Sequence, residues 1–398
     1  MARSPPTERG AQAGPLVFLI AGEASGDNLG ARLMAALKRQ TGERVRFAGV
    51  GGAAMAREGL DSLFPIGELS LMGLAEILPH LPRLLRRIGE TTAEIARLHP
   101  HVVVTIDSPE FSFRVARRIG HLGIPRVHYV APQVWAWRAG RARKLAGTVD
   151  HLMALLPFEP PYFEDAGLPC NFVGHPVIES GTDRGDGAAF RSRHGIAPAA
   201  TVVSVLPGSR HNEVRRLLPV FEGAVKLLTR ERPDLVIAVA TVEAVREQVT
   251  AAVRAWPRPG IVVTDPAEKY DAFAASRAAI AKSGTVTLEL ALAGVPMVVC
   301  YKMSAITAFL ARRLVRVDYA SLVNLLAERA VSPELLLDAC TPTGIAEKVA
   351  PLLDDGAVRA AQLAGFETVA GRLGGRSPTP SERAAEVVLG SIETWAGR

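Results

Sequence analysis

Residues 16–27 read Leu16-Val17-Phe18-Leu19-Ile20-Ala21-Gly22-Glu23-Ala24-Ser25-Gly26-Asp27, and their order decides the fold. An apolar run of strand length ends at a glycine and passes into an amphipathic stretch from Asp27 to Lys38. A strand that is apolar at every position has to be covered on both faces, as in a parallel sheet. The alternation continues with Val102 to Ile106 and a helix over Phe111 to Ile119, then Val127 to Ala131 and a helix over Arg138 to Leu145. This is the pattern of a doubly wound α/β domain. It breaks between Glu179 and Ala200, which lacks any long apolar run and is rich in Gly, Asp, Arg and Ala. A second series then runs from TVVSVLPGSR at Thr201 through LVIAVAT, GIVVTD, AAIAKSG and MVVCY at Met297, with helices from Glu213, through Glu247 and from Thr285. The expected organisation is a tail over 1–14, a first domain over 15–180, a connection over 181–200, a second domain over 201–353 and a helical segment over 354–398. Two such Rossmann-like domains are expected to face each other across a central cleft that holds the active site, because ligands sit at the C-terminal ends of the strands.

Composition narrows the partners. The chain has 398 residues, 48% hydrophobic and 22% charged, an ordinary globular make-up long enough for two cores. Its net charge of +6 is concentrated: residues 81–144 hold twelve Lys/Arg against four Asp/Glu, so an anionic surface should meet the protein there. Cys170, Cys300 and Cys340 are far apart and show no metal-binding spacing. A reducing cytoplasm fits, and no metal or other cofactor is expected. No stretch reaches the ~18 apolar residues of a membrane span. The tail has no apolar core of a signal peptide, so export is not expected.

Several strand ends bear chemistry. Glu23 lies at the tip of the first strand, where an acid is placed for a ligand, and Asp27 is either functional or the N-cap of the following helix. In Asp107-Ser108-Pro109-Glu110-Phe111 the proline should delay the helix, so Asp107 either takes a proton from a substrate hydroxyl or caps the helix from Phe111. On the helix from Leu81 to Ile88, Leu81, Leu84, Leu85 and Ile88 share one face and Arg83, Arg86 and Arg87 the other. With the cluster Trp135, Trp137, Arg138, Arg141, Arg143 and Lys144, this helix reads either as core plus a solvated face or as a surface for a membrane or lipid phosphate. In the second series, Arg210 at the end of Pro207-Gly208-Ser209-Arg210 suits a diphosphate, with a surface salt bridge as the alternative. Ser283, Gly284 and Thr285 open a helix whose first amides can bind phosphate. Glu289, one turn on, either bonds a ribose diol or forms a structural ion pair.

Taken together, AGEASGD, GVGG, LMGLAEIL, YVAPQVWAWR, LPFE, LPGSR, KSGTVTLE, PMVVCYKM and DYASLVNLLA, running in order from about Leu16 to Leu353, closely resemble the lipid-A-disaccharide synthase family. The resemblance implies two Rossmann-like domains of the GT-B type, with UDP held mainly by the C-terminal one. The implied reaction is an inverting glycosyl transfer from UDP-2,3-diacylglucosamine to 2,3-diacylglucosamine 1-phosphate, forming a β-1,6 disaccharide 1-phosphate and UDP. It also implies a peripheral place at the inner face of the inner membrane and leaves room for a homodimer. The family's essential acids match Glu23 and Asp107, its arginine matches Arg210, and its asparagine matches Asn324, which the resemblance places among the nucleotide-binding residues and which would otherwise read as an ordinary amide. The family pattern Asp-Ala-Pro-Asp-Phe appears here as Asp107-Ser108-Pro109-Glu110-Phe111, so Glu110 joins Asp107 and Glu23 as a candidate base.

The expected mechanism is a single displacement in which Asp107 takes the acceptor hydroxyl proton, while Arg210 and the amides of residues 283–285 stabilise the departing diphosphate. Two other classes compete. One is a UDP-sugar epimerase on the same frame, which would act without an acceptor. The other is a two-lobed ligand receptor, usually an exported protein. Nucleic-acid binding is not expected, since only the basic charge would support it.

Overall fold

A computed structural model describes residues 14–70, 77–133, 140–256, 258, 260–303 and 318–397. The chain divides into two units, residues 1–176 with 376–398 and residues 177–375.

The first unit is built on six parallel strands, β1 (Leu16–Ala21), β2 (Arg46–Val50), β3 (Val102–Ile106), β4 (Arg126–Tyr129), β5 (His151–Ala154) and β6 (Cys170–Phe172), in the order β2-β1-β3-β4-β5-β6. Its helices are α1 (Ala24–Thr41), α2 (Ala53–Arg57), α3 (Gly67–Ser70), α4 (Ile77–Leu98), α5 (Pro109–Arg118), α6 (Gly140–Ala146) and α7 (Pro160–Glu164). Every residue of β1 and β3 is buried, because helices cover both faces. Along β1, Val17 and Leu19 point toward α1, while Phe18 and Ile20 join Leu84 and Ile88 of α4 and Phe111 and Val115 of α5.

The second unit repeats the plan with β7 (Val202–Leu206), β8 (Val236–Ala240), β9 (Ile261–Val263), β10 (Ser276–Lys282), β11 (Met297–Tyr301) and β12 (Glu334–Leu336), in the order β12-β11-β10-β7-β8-β9. The helices are α8 (Gly187–Arg193), α9 (His211–Glu231), α10 (Arg246–Arg254), α11 (Pro266–Ala275), α12 (Val286–Leu292), α13 (Leu322–Ala327), α14 (Pro342–Leu353) and α15 (Ala357–Arg372). A final helix, α16 (Pro380–Ala396), returns to the first unit and buries Ala384, Ala385 and Val388 under its sheet.

Both sheets confirm the doubly wound α/β reading, but the boundaries move. The stretch 181–200 is part of the second unit: Asp186 caps α8 by accepting from the Ala189 amide, and Phe190 is fully buried beside Val202 and Ala272. One aromatic anchor on a short polar helix left no periodic signal. Likewise 354–398 is two pieces, α15 in the second unit and α16 in the first. Among the described residues no helix is long and apolar enough to cross a membrane.

Candidate active site

In each sheet the chain winds outward in both directions from one pair of strands, and the crevice beyond that pair is where open α/β sheets bind ligands. In the first unit the pair is β1 and β3, joined up to Ala21 and Ile106. Their tips touch: a Cβ on Gly22 would come within 2.6 Å of Ser108 Cβ, so only glycine fits there.

Glu23 is the N-cap residue of α1, but its side chain makes no capping bond; it is exposed and bonds no other described residue. Asp27 does not cap α1, the structural alternative open to it. It is buried, and its carboxylate accepts from the amides of Gly52 (2.7 Å), Ala54 (2.9 Å) and Met55 (3.0 Å), capping α2 instead. A Cβ at Gly52 would sit 2.6 Å from Asp27 Oδ2 and one at Gly51 would sit 2.7 Å from Met55 Sδ, which explains the paired glycines of GVGG. Asp27 is therefore structural, and Glu23 stays available.

Asp107 and Ser108 both adopt the left-handed conformation, with φ of 51° and 46°. Each costs an L-residue about 1–2 kcal/mol, strain of a kind that gathers at functional sites. The Asp107 backbone is pinned: its N–H donates to Tyr129 O (2.9 Å) and its carbonyl accepts from Ser112 Oγ (2.8 Å). Its half-buried carboxylate bonds no described residue. Ser108 is the N-cap residue of α5 but its side chain makes no capping bond, and Asp107 does not cap the helix, which begins at Pro109 rather than after it, since proline's fixed φ suits the first helical position. Glu110 points outward, 72% exposed, with Arg114 at 3.6 Å. The neighbouring tip is strained too: Val130, a β-branched residue after β4, has φ 83°. Buried His128 supports it through a bond to the Val130 backbone, with Thr105 Oγ1 2.8 Å from Nδ1, and burial pushes its pKa down to about 3. The imidazole is neutral.

The basic face is only partly as expected. Arg87 is anchored, bonding Glu68 through Nε (2.9 Å) and Nη2 (2.7 Å), and lies 4.6 Å from the Phe64 ring centroid. It is not free for a lipid. Arg83 and Arg86 are exposed, and so is Leu85, which does not share the buried face of Leu84 and Ile88. Trp135, Trp137 and Arg138 lie outside the described residues, as does the side chain of Arg141 on α6.

In the second unit the central pair is β7 and β10. Beyond β7, Gly208 takes φ 109° and Arg210 is 83% exposed, 3.8 Å from Glu213 Oε1. Glu213 is held by two other groups, the Ser209 amide (3.4 Å) and Lys282 Nζ at 3.0 Å. Such an exposed pair contributes little, so the guanidinium remains available to an anion. Lys282 and Glu213, which clamp the two tips together, were not singled out by the sequence; the position of Lys282 directly before Ser283 at a strand end was the only cue.

Beyond β10, Ser283 is not a free donor. Its amide donates to Cys300 O (2.9 Å) and its hydroxyl to Ala320 O (2.8 Å). The amides of Gly284, Thr285 and Val286 bond no acceptor among the described residues. Glu289 forms the ion pair that spacing left as the alternative, with Oε2 2.7 Å from Lys269 Nζ; Oε1 bonds no described residue. Asn324 is 1% exposed and saturated. Its Nδ2 donates to Ser332 O and Glu334 Oε1 (both 2.8 Å), and its Oδ1 accepts from Val331 N (2.8 Å) and Ser332 N (2.9 Å). An amide offers two donors and two lone pairs, so none is left for a nucleotide. This corrects the role that the resemblance implied for Asn324.

Comparison with known proteins fits this geometry. A family model described as lipid-A-disaccharide synthetase matches residues 17–387. The chain is 55% identical to the lipid-A-disaccharide synthase of Rhodospirillum centenum over 95% of this chain and 94% of that one, and 51% identical to that of Paramagnetospirillum magneticum over 95% and 97%. Among solved structures, UDP-GlcNAc 2-epimerase of Neisseria meningitidis bound to UDP-GlcNAc superposes with a TM-score of 0.64 at 12% identity, covering 95% of this chain and all of that one. A calicheamicin glycosyltransferase gives 0.57 at 18% identity, covering 96% and 98%. At these identities the last two show the fold alone.

Proposed function

The chain belongs to the lipid-A-disaccharide synthase family, and on that premise we propose that it transfers 2,3-diacylglucosamine from UDP-2,3-diacylglucosamine to 2,3-diacylglucosamine 1-phosphate. It is a glycosyltransferase that uses a UDP-sugar donor and a sugar acceptor. The epimerase alternative has only fold-level likeness behind it.

The acceptor 6-hydroxyl oxygen attacks the donor's anomeric carbon from the face opposite UDP. The new C–O bond forms as the bond to the diphosphate breaks, and the hydroxyl proton passes to the Asp107 carboxylate. Negative charge collects on the leaving diphosphate, where Arg210 and the amides of Gly284 and Thr285 are suited to receive it. Glu289 Oε1 suits a ribose hydroxyl, and Glu23 a sugar hydroxyl beside the base. Asn324 and Ser283 support these groups rather than touch the donor. Among the acids, Glu110 is the weakest candidate for the base, being ion-paired and outward.

The single observation behind this reading is Asp107: a strained backbone pinned at both ends, carrying at the β1/β3 tips a carboxylate that bonds none of the described residues. Positioned general bases contribute about 10²–10⁴-fold. Asp107→Asn should therefore lower kcat about 10³-fold while UDP affinity stays within about twofold, measured by turnover with both acylated sugars and by calorimetry with UDP. Equal loss of UDP affinity sinks the assignment.

Exposed Arg83, Arg86 and Leu85 suit the surface of an anionic inner membrane, where each basic residue adds about 1 kcal/mol. Vesicles containing phosphatidylglycerol should bind the protein at low salt and release it in 0.5 M NaCl, roughly three times the physiological ionic strength. Retention at high salt would point to apolar insertion instead.

A further inference from the structure

We propose that Glu334 is a positioning residue for the diphosphate-binding turn at the tip of β10, acting through residues 320 and 321; this rests on the donor site assigned above. In the sequence Glu334 sits in VSPELLL, with nothing to distinguish it. In the fold it begins edge strand β12, two strands away from β10. Its carboxylate gathers four donors. Oε2 accepts from the Ala320 amide (2.8 Å), and Oε1 accepts from the Ser321 amide (2.9 Å), Ser321 Oγ (2.7 Å) and Asn324 Nδ2 (2.8 Å). Asn324 in turn fixes the backbone of Val331 and Ser332, just before the strand that carries Glu334. The loop closes on itself, so the Ala320 peptide has little freedom.

The carbonyl of Ala320 accepts from Ser283 Oγ at 2.8 Å. Ser283 is the residue before Gly284 and Thr285, whose amides bond no acceptor among the described residues. A rigid line of contacts therefore runs from Glu334 through Ala320 to Ser283 and on to the phosphate-facing peptides. Backbone amides bind an anion well only when their direction is set beforehand, because side chains around them cannot correct a misaimed N–H. Gln at 334 removes the charge and turns an NH2 group toward the Ala320 amide or the Ser321 donors. Asp keeps the charge but pulls it back by one methylene.

The test uses the full chain. Glu334→Gln should weaken UDP binding by about tenfold, the loss of roughly one charge-assisted hydrogen bond, and raise the donor KM while the acceptor KM stays unchanged. Glu334→Asp should recover part of the affinity. A purely structural role predicts otherwise: a smaller folded fraction lowers kcat and leaves both KM values and the UDP Kd of the folded protein as they were. Should Glu334→Gln fail to fold, Ser283→Ala cuts the same line at Ala320 and leaves the Glu334 bonds intact; a threefold or larger UDP loss is expected. Wild-type protein that binds no UDP overturns the donor site itself. Wild-type protein that binds UDP, together with a folded variant that binds it equally well, overturns the positioning role alone.

Discussion

The tip of the first sheet and the tip of the second use side chains in opposite ways. Around β1 and β3 the backbone is immobilised and the carboxylates of Glu23 and Asp107 bond none of the described residues. Around β7 and β10 the side chains of Ser283, Asn324 and Glu334 are all engaged, and backbone amides are left unengaged. Chemistry explains the difference. A proton can be accepted only by a group with a spare lone pair, whereas a diphosphate is held by N–H dipoles that someone else must aim. Arg210 is an exception in the second unit, being exposed and weakly paired, so its guanidinium, like Oε1 of Glu289, is not taken up by the described residues.

Three measurements would break or sharpen this contrast. The largest effect is expected at Arg210. Arg210→Ala removes charge-assisted bonds worth about 1.5–3 kcal/mol and should weaken UDP binding about 10- to 100-fold, with Arg210→Lys recovering only part because an ammonium lacks the planar fork. A Lys variant indistinguishable from wild type would show that Arg210 serves only as bulk charge.

Next comes the support behind the first tip. His128 is buried and neutral, its pKa lowered to about 3 from 6.5. The unfolded chain takes up a proton as pH falls below about 6.5, and the native state cannot, so stability is full above that pH and declines below it by about 1.4 kcal/mol per pH unit. His175, pushed down to about 4 by burial, adds to the decline. Urea titrations between pH 6.5 and 4.5 should show a slope shallower by about 1.4 kcal/mol per unit in His128→Gln. An unchanged slope would mean that the imidazole is solvated and supports nothing.

The smallest effect is expected at Ser108. Ser108→Gly relieves a left-handed residue and should raise stability by about 1 kcal/mol, or the melting temperature by about 2–4 °C, while turnover falls as Asp107 loses its fixed aim. If stability does not rise, the tip stores no strain.

How much of this was legible beforehand differs by residue. The strands were plain, since β1 is apolar throughout, β3 and β7 are apolar but for one small hydroxyl residue each, Thr105 and Ser204, and such runs suit the inside of a covered sheet. Glu23, Asp107 and Arg210 were legible as polar groups at strand ends. Asp27 was misplaced because a carboxylate near a helix start looks like that helix's own cap, while its real partners lie 25 or more residues further on. The lipid-facing alternative for Arg87 and the nucleotide role that the resemblance implied for Asn324 fail for a similar reason, since the groups that engage these side chains come alongside only in the fold. Residues 181–200 lacked periodicity because Phe190 is the one buried residue of α8.

The linear order of apolar runs by itself determined two doubly wound sheets, and the motifs at the strand ends determined the family, because burial on both faces and chain connectivity are local properties that show in composition and spacing, whereas the central strand pairs were set by the fold. Which polar group is free and which is held was decided only by the tertiary structure. Hydrogen-bond saturation depends on partners from distant parts of the chain, and Glu334, ordinary in the sequence, becomes the holder of a peptide beside the β10 tip only once β12 is set at the sheet edge.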